Sequence, residues 1–169
     1  MKRQSWIILT VCLLIVAGLG VFYLMTRGGP GPLTQDEAIE MTQKMERAFS
    51  AKNANGILAY INPAPDTKIA NINQDQLRVL LGRYFRNSDR VSAELKNYTF
   101  ASGDTDATLQ FDLTVHNDGV DSRKEDYTGH ITLHLKKVDV PRLLGLYQAK
   151  EWRIIGAEST GADLSTFGD

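Results

Sequence analysis

AKEWRIIGAEST, residues Ala149 to Thr160, places one of the chain's two tryptophans, Trp152, between Glu151 and Arg153 and just before Ile154-Ile155. Aromatic and β-branched residues in a short run bounded by polar ones read as a strand, here from Lys150 to about Ser159. Working back from it, Val138 to Gln148 reads as a connection in which Pro141 starts a short helical turn. Before that, Tyr127 to Lys137 sets Ile131, Leu133 and Leu135 on one face and His130, Thr132 and His134 on the other. Ala107 to His116 does the same with Leu109, Phe111, Leu113 and Val115 against Thr108, Gln110, Asp112, Thr114 and His116. Alternation of this kind marks half-buried antiparallel strands. The polar stretch NDGVDSRKED separates the two as a loop, and Val91 to Ala101 supplies a fourth strand.

Upstream of Arg90 the period becomes helical. Thr34 and Glu37 form a capping box, and Ala38, Met41, Met45, Ala48 and Phe49 make one apolar stripe in a helix running to about Lys52. NANGILAYI reads as a short second helix that stops at Asn62-Pro63. After the loop PAPDTKIANI, Asn73 caps a third helix whose stripe is Leu77, Leu80, Leu81, Tyr84 and Phe85.

The N-terminal part differs in kind. Trp6 to Met25 contains no charged residue, and twenty helical residues rise about 30 Å, the thickness of a bilayer's hydrocarbon core. A cleaved signal peptide has a shorter apolar region, about 7–15 residues, and a small-x-small exit. The exit here, Leu24-Met25-Thr26-Arg27, has no such pattern, so the run reads as a retained anchor contacting the bilayer. Lys2 and Arg3 precede it and Arg27 alone follows closely, which orients the N-terminus to the cytoplasm. The expected organisation is therefore an anchor at 1–26, a Gly/Pro linker at 27–32 and one extracytoplasmic domain at 33–169, periplasmic in a bacterium.

Composition excludes some chemistry. The 169 residues include one cysteine, Cys12, inside the apolar run, so the remaining chain has neither disulfide nor thiolate chemistry. Beyond the linker there are 16 basic and 20 acidic side chains, a formal charge of −4. That balance argues against nucleic acid, which selects a concentrated basic surface.

Three helices followed by four antiparallel strands form an α+β layer with the helices on one face of a curved sheet. The order resembles the nuclear transport factor 2-like superfamily, which includes ketosteroid isomerase and SnoaL-type cyclases. In that family the last strand commonly reads Gly-x-Trp-[Arg/Lys]-[Ile/Val], and Lys150-Glu151-Trp152-Arg153-Ile154 takes that place. The exit of the first helix, from Ala48 to Leu58, is also similar to the family's turn into its second helix. The resemblance implies a cone-shaped domain closed by the last strand, with Trp152 packed against Met45, Phe49 or Leu81.

Enzymes of the superfamily carry a general base, often Asp or an Asp–His pair, on the cavity side. Here Asp112, His116, His130 and His134 fall opposite the apolar register, on the outer face. No catalytic residue, metal ligand set or cofactor is therefore expected. Pairing the hairpin about its loop sets Thr114 near His130 and Gln110 near His134, with Asp112 between them. This polar stripe suits a ligand or partner as well as a solvated surface. His130 and His134 stand about 13 Å apart on a strand, too far to share one metal ion. Tyr60, Tyr84, Tyr98 and Thr42 could bring hydroxyls to a pocket. Arg83, Arg86 and Arg90 form a basic stripe at helical spacing, suited to acidic lipid, a partner protein or solvent. Asn97-Tyr98-Thr99 matches the N-glycosylation pattern, which matters only in a eukaryotic secretory setting.

Two functions remain. One is a non-catalytic single-pass protein whose domain docks onto other membrane-complex subunits or onto itself. Its organisation resembles that of membrane-anchored members of the superfamily, such as an inner-membrane component of type IV secretion systems and the domain before some penicillin-binding transpeptidases. The other is a small-molecule-binding protein or lyase/isomerase-type enzyme using the cone cavity, which needs an ionisable group facing inward.

Overall fold

A computed structural model describes residues 30–64, 67–69, 72–119, 124–142 and 147–160. The expected anchor at Trp6–Met25 lies outside the described residues, among which no helix is long and apolar enough to cross a membrane. The chain forms two units, one of Pro32–Val138 with Trp152–Asp169 and one of Met1–Gly31 with Asp139–Glu151. Of the second, what is described is residues 30–31 and parts of two strands.

Helix α1 (Gln35–Ser50) starts as its sequence dictates. The Thr34 hydroxyl accepts from the Glu37 amide at 3.3 Å, and the Glu37 carboxylate accepts from the Thr34 amide at 2.9 Å, satisfying two orphan donors. Ala38, Met41 and Thr42 form its buried face. It ends with Lys52 at φ 53, the left-handed region that lets the Asn53 amide reach back to the Ala48 carbonyl at 2.8 Å. Helix α2 (Ala54–Leu58) follows at once, capped by Asn53. Gly56 is required by space: a Cβ there would lie 2.9 Å from the Ala48 Cβ, so glycine lets the two helices touch. Helix α3 (Gln74–Arg86) carries the second capping box, Asn73 with Gln76.

The stretch expected as a loop before α3 contains strand β1 (Lys68–Ile69), parallel to the last strand at Gly156 and Ala157. It is joined there by a parallel bridge between Ile61 and Ile154. Strands β2 (Ser88–Ser102), β3 (Asp106–Gly119), β4 (Lys124–Arg142) and β5 (Tyr147–Thr160) complete a five-stranded sheet in the order β1-β5-β4-β3-β2. The pairs β2–β3 and β3–β4 are antiparallel.

Each long strand outruns its apolar alternation. Pairing between β3 and β4 continues to Asp118 opposite Lys124, through residues expected in the loop, because ladder bonds are made by backbone whatever the side chain. The helical turn expected at Pro141 is replaced by strand. The register with β3 stops at Lys136, so at Pro141 β4 has no β3 partner to miss the absent amide.

The larger core joins Leu33, Ala38, Met41, Leu58 and Ile61 to Ala107, Leu109, Phe111, Leu133, Leu135 and Ile154 on the sheet. A smaller one surrounds Ile57, Phe85 and Val91, with Phe49 and Tyr84 packed against it. Trp152 packs against the larger core, as Met45 and Leu81 do, whereas Phe49 belongs to the smaller. The ring is half-buried, with the Lys137 ammonium 5.4 Å from its centroid. Ile154, two residues on, is the deep residue of β5 at 1% exposure, and its backbone bonds Tyr60 and Asn62. The strand's seal is therefore aliphatic, with the tryptophan at its margin.

Candidate functional site

The outer face of the sheet holds the chain's three histidines, each against a carboxylate of a neighbouring strand. His116 Nδ1 lies 2.8 Å from Asp126, His130 Nδ1 lies 2.9 Å from Asp112, and His134 Nε2 lies 3.3 Å from Glu158. Asp112 and His130 stand directly opposite in the β3–β4 register. Since an ionised carboxylate only accepts, the His130 Nδ1 carries the proton of this bond, which leaves Nε2 for a further partner.

A β-bulge fixes the Asp112 end of this pair. Lys96 faces Asp112 and Thr99 faces Gln110, so Asn97 and Tyr98 together oppose Phe111. Asn97 takes φ 56, a left-handed conformation that asparagine tolerates better than most residues. From there its side-chain amide donates to Asp112 Oδ2 at 2.7 Å. The Asn97 amide first, and the His130 ring second, hold the Asp112 carboxyl below its ordinary value. Side-chain exposures of 43% for His130 and 46% for Asp112 keep the pair in contact with water.

A carboxyl depressed in the folded state stabilises that state above its unfolded pKa of about 4, and the contribution disappears as pH falls through the folded value. Asp112→Asn is therefore expected to lower stability modestly near neutrality and to flatten the acid limb of the stability curve, the two proteins converging at low pH. Urea unfolding from about pH 7 down to about pH 3 measures this, and equal slopes in both proteins would refute it.

Gln110, Asp112, Thr114, His130 and His134 lie on one face as the alternation predicts, but the register is shifted. Thr114 faces Thr128, Gln110 faces Thr132, and His134 faces Thr108. The slip is two residues, so the face is kept and the neighbours change. The basic stripe does not lie on one helix. Arg83 and Arg86 are exposed in the last turn of α3, while Arg90 lies on β2 opposite Asp118. Helix α3 stops at Arg86 because the Ser88 hydroxyl takes the Tyr84 carbonyl at 2.8 Å and the chain turns into β2. Asn97, Asp126 and Glu158 were not among the expected site residues. Only their register, which no composition signal reports, identifies them.

On the core side of the sheet the polar residues are few. Those buried among the described residues are Thr42, Thr67, Ser88 and Asn117. Tyr98 is half-buried; desolvation raises its hydroxyl pKa, partly opposed by a hydrogen bond with Thr42. No group of three metal-ligating side chains occurs among the described residues.

No protein-family model and no curated protein matches the sequence. Solved structures do match the fold. A nuclear transport factor 2-like superfamily protein from Salmonella enterica aligns with TM-score 0.62 at 14% identity, over 79% of this chain and 94% of that one. A nuclear transport factor 2-like protein of unknown function from Shewanella oneidensis aligns with TM-score 0.55 at 12% identity, over 75% and 98%. A candidate scytalone dehydratase from Novosphingobium aromaticivorans aligns with TM-score 0.59 at 12% identity, over 75% and 86%. Identities this low carry architecture and no activity. The chain has the nuclear transport factor 2-like fold.

Proposed function

We propose that the chain is a non-catalytic, single-pass membrane protein. Its nuclear transport factor 2-like domain lies outside the cytoplasm and docks onto, or helps assemble, a larger membrane complex. The supporting observation is where the reactive side chains sit. Asp112 and the histidines occupy the outer sheet face as water-contacting cross-strand pairs, whereas the core is filled by Leu109, Phe111, Leu133, Leu135 and Ile154. Catalysis by a general base needs an enclosed site that orients substrate and tunes the base. Docking needs an exposed face with fixed polar groups. The apolar run at Trp6–Met25 supplies the membrane attachment.

A pocket enzyme of lyase or isomerase type is the second reading. It rests on the Tyr98–Thr42 hydroxyl pair on the core side, close enough to Glu46 for the carboxylate to act on Tyr98. Cross-linking of the full chain in its native membrane, followed by purification in mild detergent and mass spectrometry, separates the two. Recovery of membrane proteins that Asp112→Arg abolishes is the expected result. A chain recovered alone, insensitive to Asp112→Arg but impaired by Tyr98→Phe in small-molecule binding, would establish the second reading instead.

A further inference from the structure

Among the described residues, strand β2 ends the sheet and pairs with β3 alone. Among the described residues no loop backbone bonds to residues 89–96, and the side-chain contact to this edge is the Lys52 ammonium on the Ser88 carbonyl. The register with β3 runs without interruption from Arg90 opposite Asp118 to Lys96 opposite Asp112, and the Asn97 bulge ends it. This is an open, regular edge about 20 Å long. It lacks the proline by which many proteins blunt such edges. Its side chains alternate as in a sheet interior. Arg90, Ser92, Glu94 and Lys96 are exposed on the outer face, while Val91 is buried and Ala93 and Leu95 are half-buried on the core face. A strand added here would continue both layers.

We propose that this edge is a self-association site at which two copies join by antiparallel pairing of residues 90–94 about Ser92. The charges select the register. A two-fold axis at Ser92 sets Arg90 opposite Glu94 of the second copy, twice by symmetry. An axis at Ala93 sets Arg90 against Lys96, and one at Glu94 sets that carboxylate against itself. An axis at Val91 forms no opposite-charge pair, and one at Leu95 runs into the bulge at once. Opposed charges directly across a strand pair attract and like charges repel, so the Ser92 register is the one both favourable and uninterrupted. The contact is closed by its own two-fold, which gives a dimer and no fibre. The site is independent of the membrane reading above.

The test measures the mass of the full chain in mild detergent, at low salt, by sedimentation. The expected state is a dimer. Arg90→Glu or Glu94→Arg should weaken association by about tenfold or more, because each reversal acts twice, and the double exchange should restore it. Arg90→Glu also meets Asp118 within its own sheet, whereas Glu94→Arg stands opposite Thr114 and loses an exposed ion pair with Lys96, a contact worth little to the fold. In a Cys12→Ser background, Ser92→Cys should cross-link to its copy under mild oxidation and Thr99→Cys should not. A monomer at every concentration, a dimer indifferent to both reversals, or equal cross-linking at Thr99 overturns the proposal. So does a monomer in which the β2 amides that face away from β3 exchange slowly, which would mean that another segment of the same chain covers the edge.

Discussion

Leu109→Ala should cost about 3–5 kcal/mol of folding free energy. Leu109 is fully buried in the first half of β3, between Phe100 on β2 and Leu133 on β4. Residues from α1 and α2 close over it, Ala38, Met41 and Leu58 belonging to the same core. A site enclosed by elements from both layers cannot collapse around a missing isobutyl group, so the cavity adds to the lost transfer energy. Domains of this size have about 5–15 kcal/mol in total, so the variant should melt far earlier or fail to fold when expressed at physiological temperature. Denaturant titration gives the number. Val79→Ala, at a site 61% exposed on α3, is the matched control and should stay within about 0.5 kcal/mol. A Leu109→Ala loss no larger than that of Val79→Ala would mean that the sheet and helices do not enclose Leu109.

Phe85→Ala should cost a similar amount, about 3–5 kcal/mol, for a different reason. Its ring is the hub of an aromatic trio, 5.5 Å from Phe49 at an edge-on angle of 66° and 6.1 Å from Tyr84. Phe49 and Tyr84 also stack on each other at 6.0 Å. These rings come from the ends of α1 and α3, and Ile57 and Val91 bring α2 and β2 to the same cluster. Removing Phe85 leaves both other rings without their contact and unties four elements at once. Phe85→Leu keeps most of the volume and should recover over half of the loss. Calorimetry on the three proteins checks the order, and a Phe85→Leu loss equal to that of Phe85→Ala would exclude a packing origin.

The sequence announces the helices because their signals are local. Thr34 with Glu37 and Asn73 with Gln76 each lie within one turn, and both boxes close as their residue types require. Strand faces are legible for a similar reason: Leu109, Phe111 and Val115 alternate with Gln110, Asp112 and Thr114 over one segment. Register is not local. Asp112 meets His130 only because the β3–β4 ladder runs out to Asp118 and Lys124, through polar residues that resemble a loop. Likewise Lys68 and Ile69 have no strand pattern of their own and become β1 only beside Gly156 and Ala157. Arg90 continues the spacing of Arg83 and Arg86, but spacing cannot report that the Ser88 hydroxyl has already taken a carbonyl of the last helical turn. The outer-face site was therefore readable as a set of residues and unreadable as pairs. Its orienting member, Asn97, depends on a backbone conformation that no periodicity encodes.

The bulge at Asn97 does to its strand what an inserted base does to a reading frame. Upstream, odd-numbered residues such as Val91 and Leu95 face the core; downstream, the even-numbered Tyr98 and Phe100 do. Excising that single amino acid would let the ladder close with Lys96 opposite Asp112, Tyr98 opposite Phe111 and Thr99 opposite Gln110, so every side chain beyond it would keep its side. Drawing Asn97 into the regular alternation, by contrast, would turn Tyr98 and Phe100 to water and thrust Thr99 among hydrocarbons. In an alignment of related chains, this is the place where a gap of one keeps phase, whereas a gap of one within the regular run from Arg90 to Lys96 flips every residue beyond it.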